Sequence, residues 1–345
     1  MAGQAALRIA LLGCGAFARR YHVPALALAD GVRTAVIADP SGAAAVTNVA
    51  TQLGAVHVPD IDALLAGPAV DAVIVSTPHT LHYAHVGRLL DAGRHVLVDK
   101  PFVLHAAEAE ELTARARAKD VVGAVAFNRR LDAGCLRARE IIRSGALGTV
   151  RYVETTQLGY ERAGWFLDPK LGGGGPYTGR ASHMTDLIPW LTGGTPLRLR
   201  SRLRTGPPGR SDRGGFIDVV FDGFECRMTC IEEGWHMFDE IRVFGDDGMV
   251  QLHRPLGMPI GWQLVWSSRR GARTEGLAAD PTPGAATRDF LDALLKGGAP
   301  ACCFADALPS VAMMEAAFVS AAEDERWIAF PDTRAVAAVA AGGGR

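Results

Sequence analysis

The sequence predicts an N-terminal α/β domain, a doubly wound parallel sheet, followed by an α+β domain built on a large open, mainly antiparallel sheet. Three observations predict it. In the first third, short Val/Ile/Leu runs without alternation are spaced by helical patterns, as strands covered on both faces require. From about Val150 polar/apolar alternation takes over, in short runs joined by turn residues. Finally, 345 residues suffice for two separate cores.

The buried strands are Leu7–Leu12, ended by Gly13, then Thr34–Ala38, Val70–Ser76, His95–Val98 and, last, Val121–Phe127. Phe17–Ala29, His82–Ala92 and Ala106–Lys119 carry helical spacing between them, and Leu131–Gly145 is a helix leading away, with Gly145 and Gly148 as stop signals. Alternation marks Arg151–Gln157, Leu197–Arg204, Phe216–Phe221, Glu225–Ile231, Phe238–Phe244 and Val250–Leu252. Turns at Asp222-Gly223 and Asp246-Asp247-Gly248 make these an antiparallel meander. Helices Ala285–Leu295 and Ala305–Glu325 pack on one domain or the other, and Ala335–Arg345 reads as a frayed tail. The division is 1–123, a dinucleotide-binding domain; 124–330, a substrate-binding and oligomerisation domain; and 331–345, a tail.

Composition excludes several classes of function. With 36 basic and 37 acidic residues the net charge is -1, too little positive charge to gather the phosphates of a nucleic acid. No apolar run reaches the ~20 residues that span a bilayer, and the N-terminus has neither a charged region nor a long apolar run. Six scattered cysteines form neither a disulfide framework nor a zinc pattern. The reading is a cytoplasmic protein without a metal. His79, His82 and His85 fan around a helix at i, i+3 and i+6 rather than converging on an ion.

Two motifs carry a cofactor. Leu7–Leu12 followed by Gly13-Cys14-Gly15-Ala16-Phe17-Ala18 is a strand, a GxGxxA turn and a helix start, which defines a Rossmann-type unit. Gly13 permits the tight turn, Gly15 lets amides reach a pyrophosphate, and small Ala18 lets the helix lie close to the strand. Asp39, at the end of the second strand, accepts hydrogen bonds from the adenosine ribose and repels a 2'-phosphate, so NAD is favoured over NADP. The plainer role for Asp39 is to start a turn.

Ser76-Thr77-Pro78-His79-Thr80-Leu81-His82, with Ala92-Gly93-Arg94-His95-Val96-Leu97-Val98-Asp99-Lys100-Pro101-Phe102, resembles the "TPN..H … aGkhVl.EKP" stretch of the Gfo/Idh/MocA nicotinamide-dependent sugar and cyclitol oxidoreductases. The resemblance runs on through Asn128-Arg129-Arg130, Gly145-Ala146-Leu147-Gly148 and Trp165 to Gly173–Asp186. It implies a cofactor site that includes Thr77, Pro78, His79, His82, Asp99, Lys100, Asn128 and Trp165. By the same resemblance Lys100 is the active-site lysine, polarising the reacting oxygen, and His183 is the catalytic histidine that exchanges its proton. Only four of the 36 basic residues are lysines, so a Lys at this place is not routine.

The chain departs from the pattern twice. Asp99 stands for the usual Glu, one methylene shorter. Gly179 stands where an Asp precedes the histidine by four residues, with Tyr177 and Arg180 adding a phenol and a guanidinium nearby. Tyr160, Arg162, Trp165, Trp235 and His236 are further candidates for the substrate cleft. Trp165 either closes on the nicotinamide or belongs to the core. Gly172–Gly175 is either a loop over the site or a linker.

These features imply hydride transfer between NAD and a secondary alcohol or ketone carbon of a sugar, amino sugar, cyclitol or related small polar metabolite. Two alternatives stay open: redox-assisted elimination or hydrolysis with tightly held NAD, and a non-catalytic regulator that binds NAD and sugar. The resemblance also implies a homodimer or homotetramer, paired through the exposed face of the large sheet.

Overall fold

Strands that lack a polar face need cover on both sides, and the N-terminal sheet has it. The computed structural model describes residues 6–160, 163–204, 206, 211–232, 234, 236–254, 261–269, 271–278 and 284–330. Its first elements are β1 (Leu7–Leu12), α1 (Ala16–Leu28), β2 (Val32–Ala38), α2 (Ala44–Leu53), β3 (Val56–Val58), α3 (Ile61–Ala66), β4 (Ala72–Val75), α4 (His82–Asp91), β5 (His95–Val98), α5 (Ala106–Ala118) and β6 (Gly123–Val125). The strands are all parallel, in the order β3-β2-β1-β4-β5-β6. On one face α1 and α2 pack Ala18, Val23, Leu26, Val46 and Val49 against Ile9, Leu11, Ile37 and Ile74. On the other, α4 touches β4 and β5 and packs on α5.

The strand order reverses between β1 and β4, which places a crevice at their carboxyl ends, where such sheets take ligands. The run 44–66 was not legible in the pattern. It holds two short helices and a three-residue strand, although Asp60 gives a conventional start to α3, accepting from Ala63 N at 2.9 Å.

The second part of the chain supplies α6 (Ala133–Arg143), β7 (Val150–Leu158), α7 (Pro169–Gly172), α8 (Ser182–Thr192), β8 (Pro196–Leu203), β9 (Gly214–Phe221), β10 (Glu225–Ile231), β11 (Phe238–Gly245), β12 (Gly248–Arg254), β13 (Trp262–Ser268) and β14 (Gly271–Leu277). They are followed by α9 (Ala285–Lys296), α10 (Phe304–Ala322) and β15 (Ile328–Ala329). The sheet runs β14-β13-β12-β11-β7-β10-β9-β8-β15. Every pairing is antiparallel except β7 with β10. The expected meander is thus split. β7, the first strand of the sheet in the chain, inserts between the β8–β10 and β11–β14 blocks, and alternation reveals a strand's faces but not its partner. β13, β14 and the two-residue β15 were not among the expected strands; the side chains of β14 are largely exposed and lack alternation.

The inner face of this sheet presents Val153, Ile217, Val219, Met228, Ile241, Val243 and Leu252 to a core shared with Ala138 and Ile141 of α6, Leu187 and Leu191 of α8, and Met313 and Ala317 of α10. The outer face is half-exposed and carries ion pairs such as Arg227–Asp218 and Arg242–Glu154.

Two compact units result: Met1–Leu131 with Asp280–Leu308, and Asp132–Ala279 with Pro309–Arg345. The linear division at 123/124 misses this return. Ala286, Phe290 and Leu291 of α9 join the core of the first unit, and burial of a side chain such as Phe290 is worth about 1.5–3 kcal/mol. The Cys302-Cys303 segment runs beside β6, with Val125 N donating to Cys302 O at 3.0 Å. Helix α10 is long and apolar enough to cross a membrane, with a mean hydropathy of 1.2, but half of that stretch is buried within the protein. The predicted tail 331–345 lies outside the described residues.

Candidate active site

In the first unit the Gly-rich turn closes the carboxyl end of β1. Gly13 has φ +90°, and a Cβ there would lie 2.4 Å from Ser76 O, so conformation and proximity both demand glycine. Gly15 is different: its φ is an ordinary -67°, and a Cβ would meet nothing within 4 Å. Neither backbone nor packing requires a glycine here, which fits a residue kept small for a ligand. The N-terminus of α1 has no side-chain cap and no acidic residue in its first turn, so its amides are left to bind an anion. Gly15, Ala16 and Phe17 are exposed, whereas Ala18 is wholly buried against the sheet.

Asp39 ends β2 as expected. Its Oδ2 accepts from Cys14 N at 2.7 Å and its Oδ1 from Ser41 N at 2.8 Å, so it ties the Gly-rich turn to the loop after β2. Each oxygen keeps a lone pair for a ribose hydroxyl. Cys14 is buried, and burial, then the Asp39 charge, push its thiol pKa up, leaving it inert.

The loops after β4 and β5 lie side by side at the same edge. His82 is fully buried, with Nε2 2.9 Å from Thr77 O and Nδ1 2.9 Å from Pro101 O, so it braces one loop against the other. Pro78 precedes a short 3-10 turn, His79–Leu81, and His79 is buried edge-on to His82. Thr77 Oγ1 lies 3.1 Å from His85 Nδ1. Lys100, half-buried, stands two residues beyond β5. Ahead of it the Asp99 carboxylate receives Ser76 Oγ at 2.5 Å and meets His22 Nε2 at 3.1 Å. The carboxylate shorter than the resembled pattern's therefore reaches its partners without bridging water. Asn128 opens a 3-10 turn after β6, and its buried Oδ1 has no partner, an acceptor left for a ligand.

His85 gives this edge a pH signature. Burial first, then the charges of His82 and Arg88, lower its pKa from 6.5 to about 4. The unfolded chain therefore takes up a proton at His85 before the folded one does. Its contribution to stability is complete above pH ~6.5 and is lost as the pH falls towards about 4. His85→Gln is expected to flatten the acid limb of the melting-temperature profile across that window. An acid limb of unchanged slope would remove His85 as its cause.

The second unit carries the other candidates. Tyr177–Ala181 forms a π-helical turn running straight into α8, a distortion that recurs at functional sites. The glycines ahead of it are not a free linker. A Cβ on Gly174 would lie 2.0 Å from Thr178 Oγ1, and one on Gly175 would lie 2.1 Å from Asp212 O. Asp212 accepts from the amides of Gly175, Tyr177 and Gly214, and burial nevertheless raises its pKa. Tyr177 lies entirely in the core, edge-on to Phe318 at 5.4 Å.

Arg180 is buried, with Nε 3.2 Å from Glu232 Oε1 and Nη1 3.2 Å from Met237 Sδ. A Cβ on Gly159 would lie 2.2 Å from its guanidinium, so that glycine makes room for the arginine on the sheet. Glu232 and Gly159 were not anticipated, because no local motif announces them. His183, half-buried, is the second residue of α8, with buried Asp186 one turn on. Gly179 supplies no carboxylate. Trp165 stacks on Phe166 at 3.8 Å in a 3-10 turn, Tyr160 is exposed, and Arg162 and Trp235 lie outside the described residues.

Comparison with known proteins agrees with this anatomy. Residues 7–127 match the model described as "Oxidoreductase family, NAD-binding Rossmann fold", and residues 135–251 match the "GFO/IDH/MocA C-terminal domain". The D-glucoside 3-dehydrogenase of Escherichia coli is 30% identical over 192 residues, 54% of each chain. An uncharacterized oxidoreductase of Schizosaccharomyces pombe is 32% identical over 209 residues, 57% of this chain and 55% of that protein. The chain thus aligns with about half the length of these curated relatives. Among solved structures, the aldose-aldose oxidoreductase of Caulobacter crescentus superimposes with a TM-score of 0.83 at 22% identity, covering 94% of this chain and 100% of that one. GenD2 from gentamicin A biosynthesis, solved with NAD, gives 0.82 at 26% identity, covering 95% and 97%.

Proposed function

The chain belongs to the GFO/IDH/MocA family of oxidoreductases, and from that membership we propose that it transfers hydride between NAD and a secondary alcohol or ketone carbon of a sugar, amino sugar or cyclitol. The observation that carries the reading is one edge of the first sheet. There the uncapped α1 N-terminus, the open face of Gly15, Asp39, the unpartnered Asn128 Oδ1 and Lys100 all follow the carboxyl ends of parallel strands.

What NAD supplies when bound is a hydride acceptor. The chain's part is to hold the pyrophosphate on the exposed amides of Gly15, Ala16 and Phe17, the ribose on Asp39, and the reacting oxygen on the Lys100 ammonium, which favours the alkoxide formed as the hydroxyl proton leaves ahead of the hydride. His183 takes up or returns the hydroxyl proton. We further propose a cytoplasmic homodimer or homotetramer, paired through the half-exposed outer face of the large sheet.

Asp39 decides the choice of coenzyme. Asp39→Ala is expected to weaken NAD binding by about tenfold and to narrow the preference over NADP, because it removes an acceptor for the ribose and a repulsive charge. Calorimetry with both coenzymes reads it; a parent protein that already prefers NADP would overturn the assignment. Activity should be screened over glucose, glucuronate, N-acetylglucosamine and myo-inositol. The glycine at position 179 favours one second reading, redox-assisted elimination or hydrolysis with NAD retained. Substrate consumption without accumulating NADH would identify it.

A further inference from the structure

We propose that His22 is a positioning residue for Lys100, acting through Asp99; the inference rests on the reading of Lys100 given above. The imidazole is 2% exposed and lies on α1 edge-on to the ring of Phe17, at 5.6 Å. Its Nδ1 is 2.7 Å from Thr287 Oγ1 of α9, itself wholly buried, and its Nε2 is 3.1 Å from Asp99 Oδ1. Asp99 Oδ2 receives Ser76 Oγ, and Asp99 N donates to Val75 O at 2.9 Å. Side chain and main chain of the residue before Lys100 are thus held from α1, from the end of β4 and from the β4–β5 pairing.

The residues after Lys100 are held as well. Pro101 O lies against His82, and Phe102 is fully buried and stacked on Phe304 at 4.2 Å. Half-buried Lys100 therefore projects from a segment fixed on both sides. A lysine stem has four rotatable bonds, so where its ammonium sits depends on how firmly its base is held, and a displacement of ~1 Å at a reacting group costs up to about 100-fold in rate.

The titratable groups facing the Asp99 carboxylate are His22 from α1 and His82 from α4, and burial lowers the pKa of His82. Burial works to raise the Asp99 pKa, but the charge and hydrogen bond of His22, the Ser76 bond and His82 outweigh it and keep the carboxyl below its ordinary range. The carboxylate stays ionised, a fixed partner for the imidazole. Of these contacts only the one to His22 reaches on to α9, so His22 links the return segment of the chain to the base of Lys100.

The chain's four lysines make a direct test practical. Reductive 13C-methylation of the full-length protein with NAD gives resolvable lysine signals, assigned by Lys→Arg replacement. In His22→Leu the Lys100 signal is expected to shift and its titration midpoint to move by about half a unit or more, while the other three stay in place. With the best substrate of the panel, kcat should fall about 10- to 100-fold, with NAD affinity within about threefold of the parent. His22→Gln, whose amide nitrogen reaches the same carboxylate oxygen, should restore most of the signal and the rate. A Lys100 signal and kcat in His22→Leu that match the parent would overturn the proposal. So would a rate loss in both variants that merely follows a lowered melting temperature with the Lys100 signal unmoved. Lys100→Met separates the two readings: if that variant keeps full turnover the role of Lys100 fails, whereas a dead Lys100→Met beside an unaffected His22→Leu sinks only the positioning role.

Discussion

Lys100→Met is expected to lower the rate of hydride transfer by about 10²- to 10⁴-fold while leaving NAD affinity within about threefold, the range found when one charge-stabilising or proton-transferring group is removed. The asymmetry follows from place. Lys100 stands after β5, whereas the amides and carboxylate assigned to the dinucleotide stand after β1 and β2. Methionine keeps the length and apolar stem of lysine but has no proton to donate to a developing alkoxide. NADH absorbance measures the first quantity and calorimetry the second. A methionine variant that turns over as fast as the parent would take Lys100 out of the chemistry.

Gly13→Ala and Gly15→Ala, two residues apart, are expected to fail in opposite ways. At Gly13 the new methyl enters a left-handed backbone region at φ +90° and lies 2.4 Å from the Ser76 carbonyl oxygen. The strand ends must separate, and the fold is expected to lose about 3 kcal/mol or more. At Gly15 the backbone is ordinary and the surrounding space open, so stability is expected to stay level or rise slightly, by about 0.4–1 kcal/mol. NAD affinity should nevertheless drop about tenfold or more, because the methyl fills room meant for the pyrophosphate. Melting curves and coenzyme titrations on the pair separate a glycine that serves the fold from one that serves a ligand. If Gly15→Ala bound NAD as well as the parent, the assignment of that turn to the pyrophosphate would be lost.

Features set by covalent spacing were legible before any coordinates: the GxGxxA turn, Asp39 one strand later, and Lys100 at the end of a buried run. Strand residues betray their faces through alternation, so β9, β10 and β11 were found nearly to the residue. What stayed hidden depends on partners far apart in the chain. Arg180 finds Glu232, 52 positions on, and His22 finds Thr287, 265 positions on, through hydrogen bonds that no local pattern announces. Gly159 shows the same limit, since its reason for being glycine is a guanidinium from another element. The glycines ahead of Tyr177 suggested freedom, and close contacts with Thr178 and Asp212 show confinement. The insertion of β7 beside β10 was equally invisible, because faces and turns are encoded locally and strand partners are not.

The return of α9 to the first unit bears on how the protein is made. A nascent chain that has delivered only residues 1–131 still lacks Phe290 and Leu291, which complete the first unit's core beside α1, and lacks the Thr287 hydroxyl that meets His22. With about 5–20 residues added per second, the ribosome needs on the order of ten seconds to reach them, while the intervening sheet is synthesised. The nucleotide-binding half, first to be translated, is therefore among the last parts to be finished.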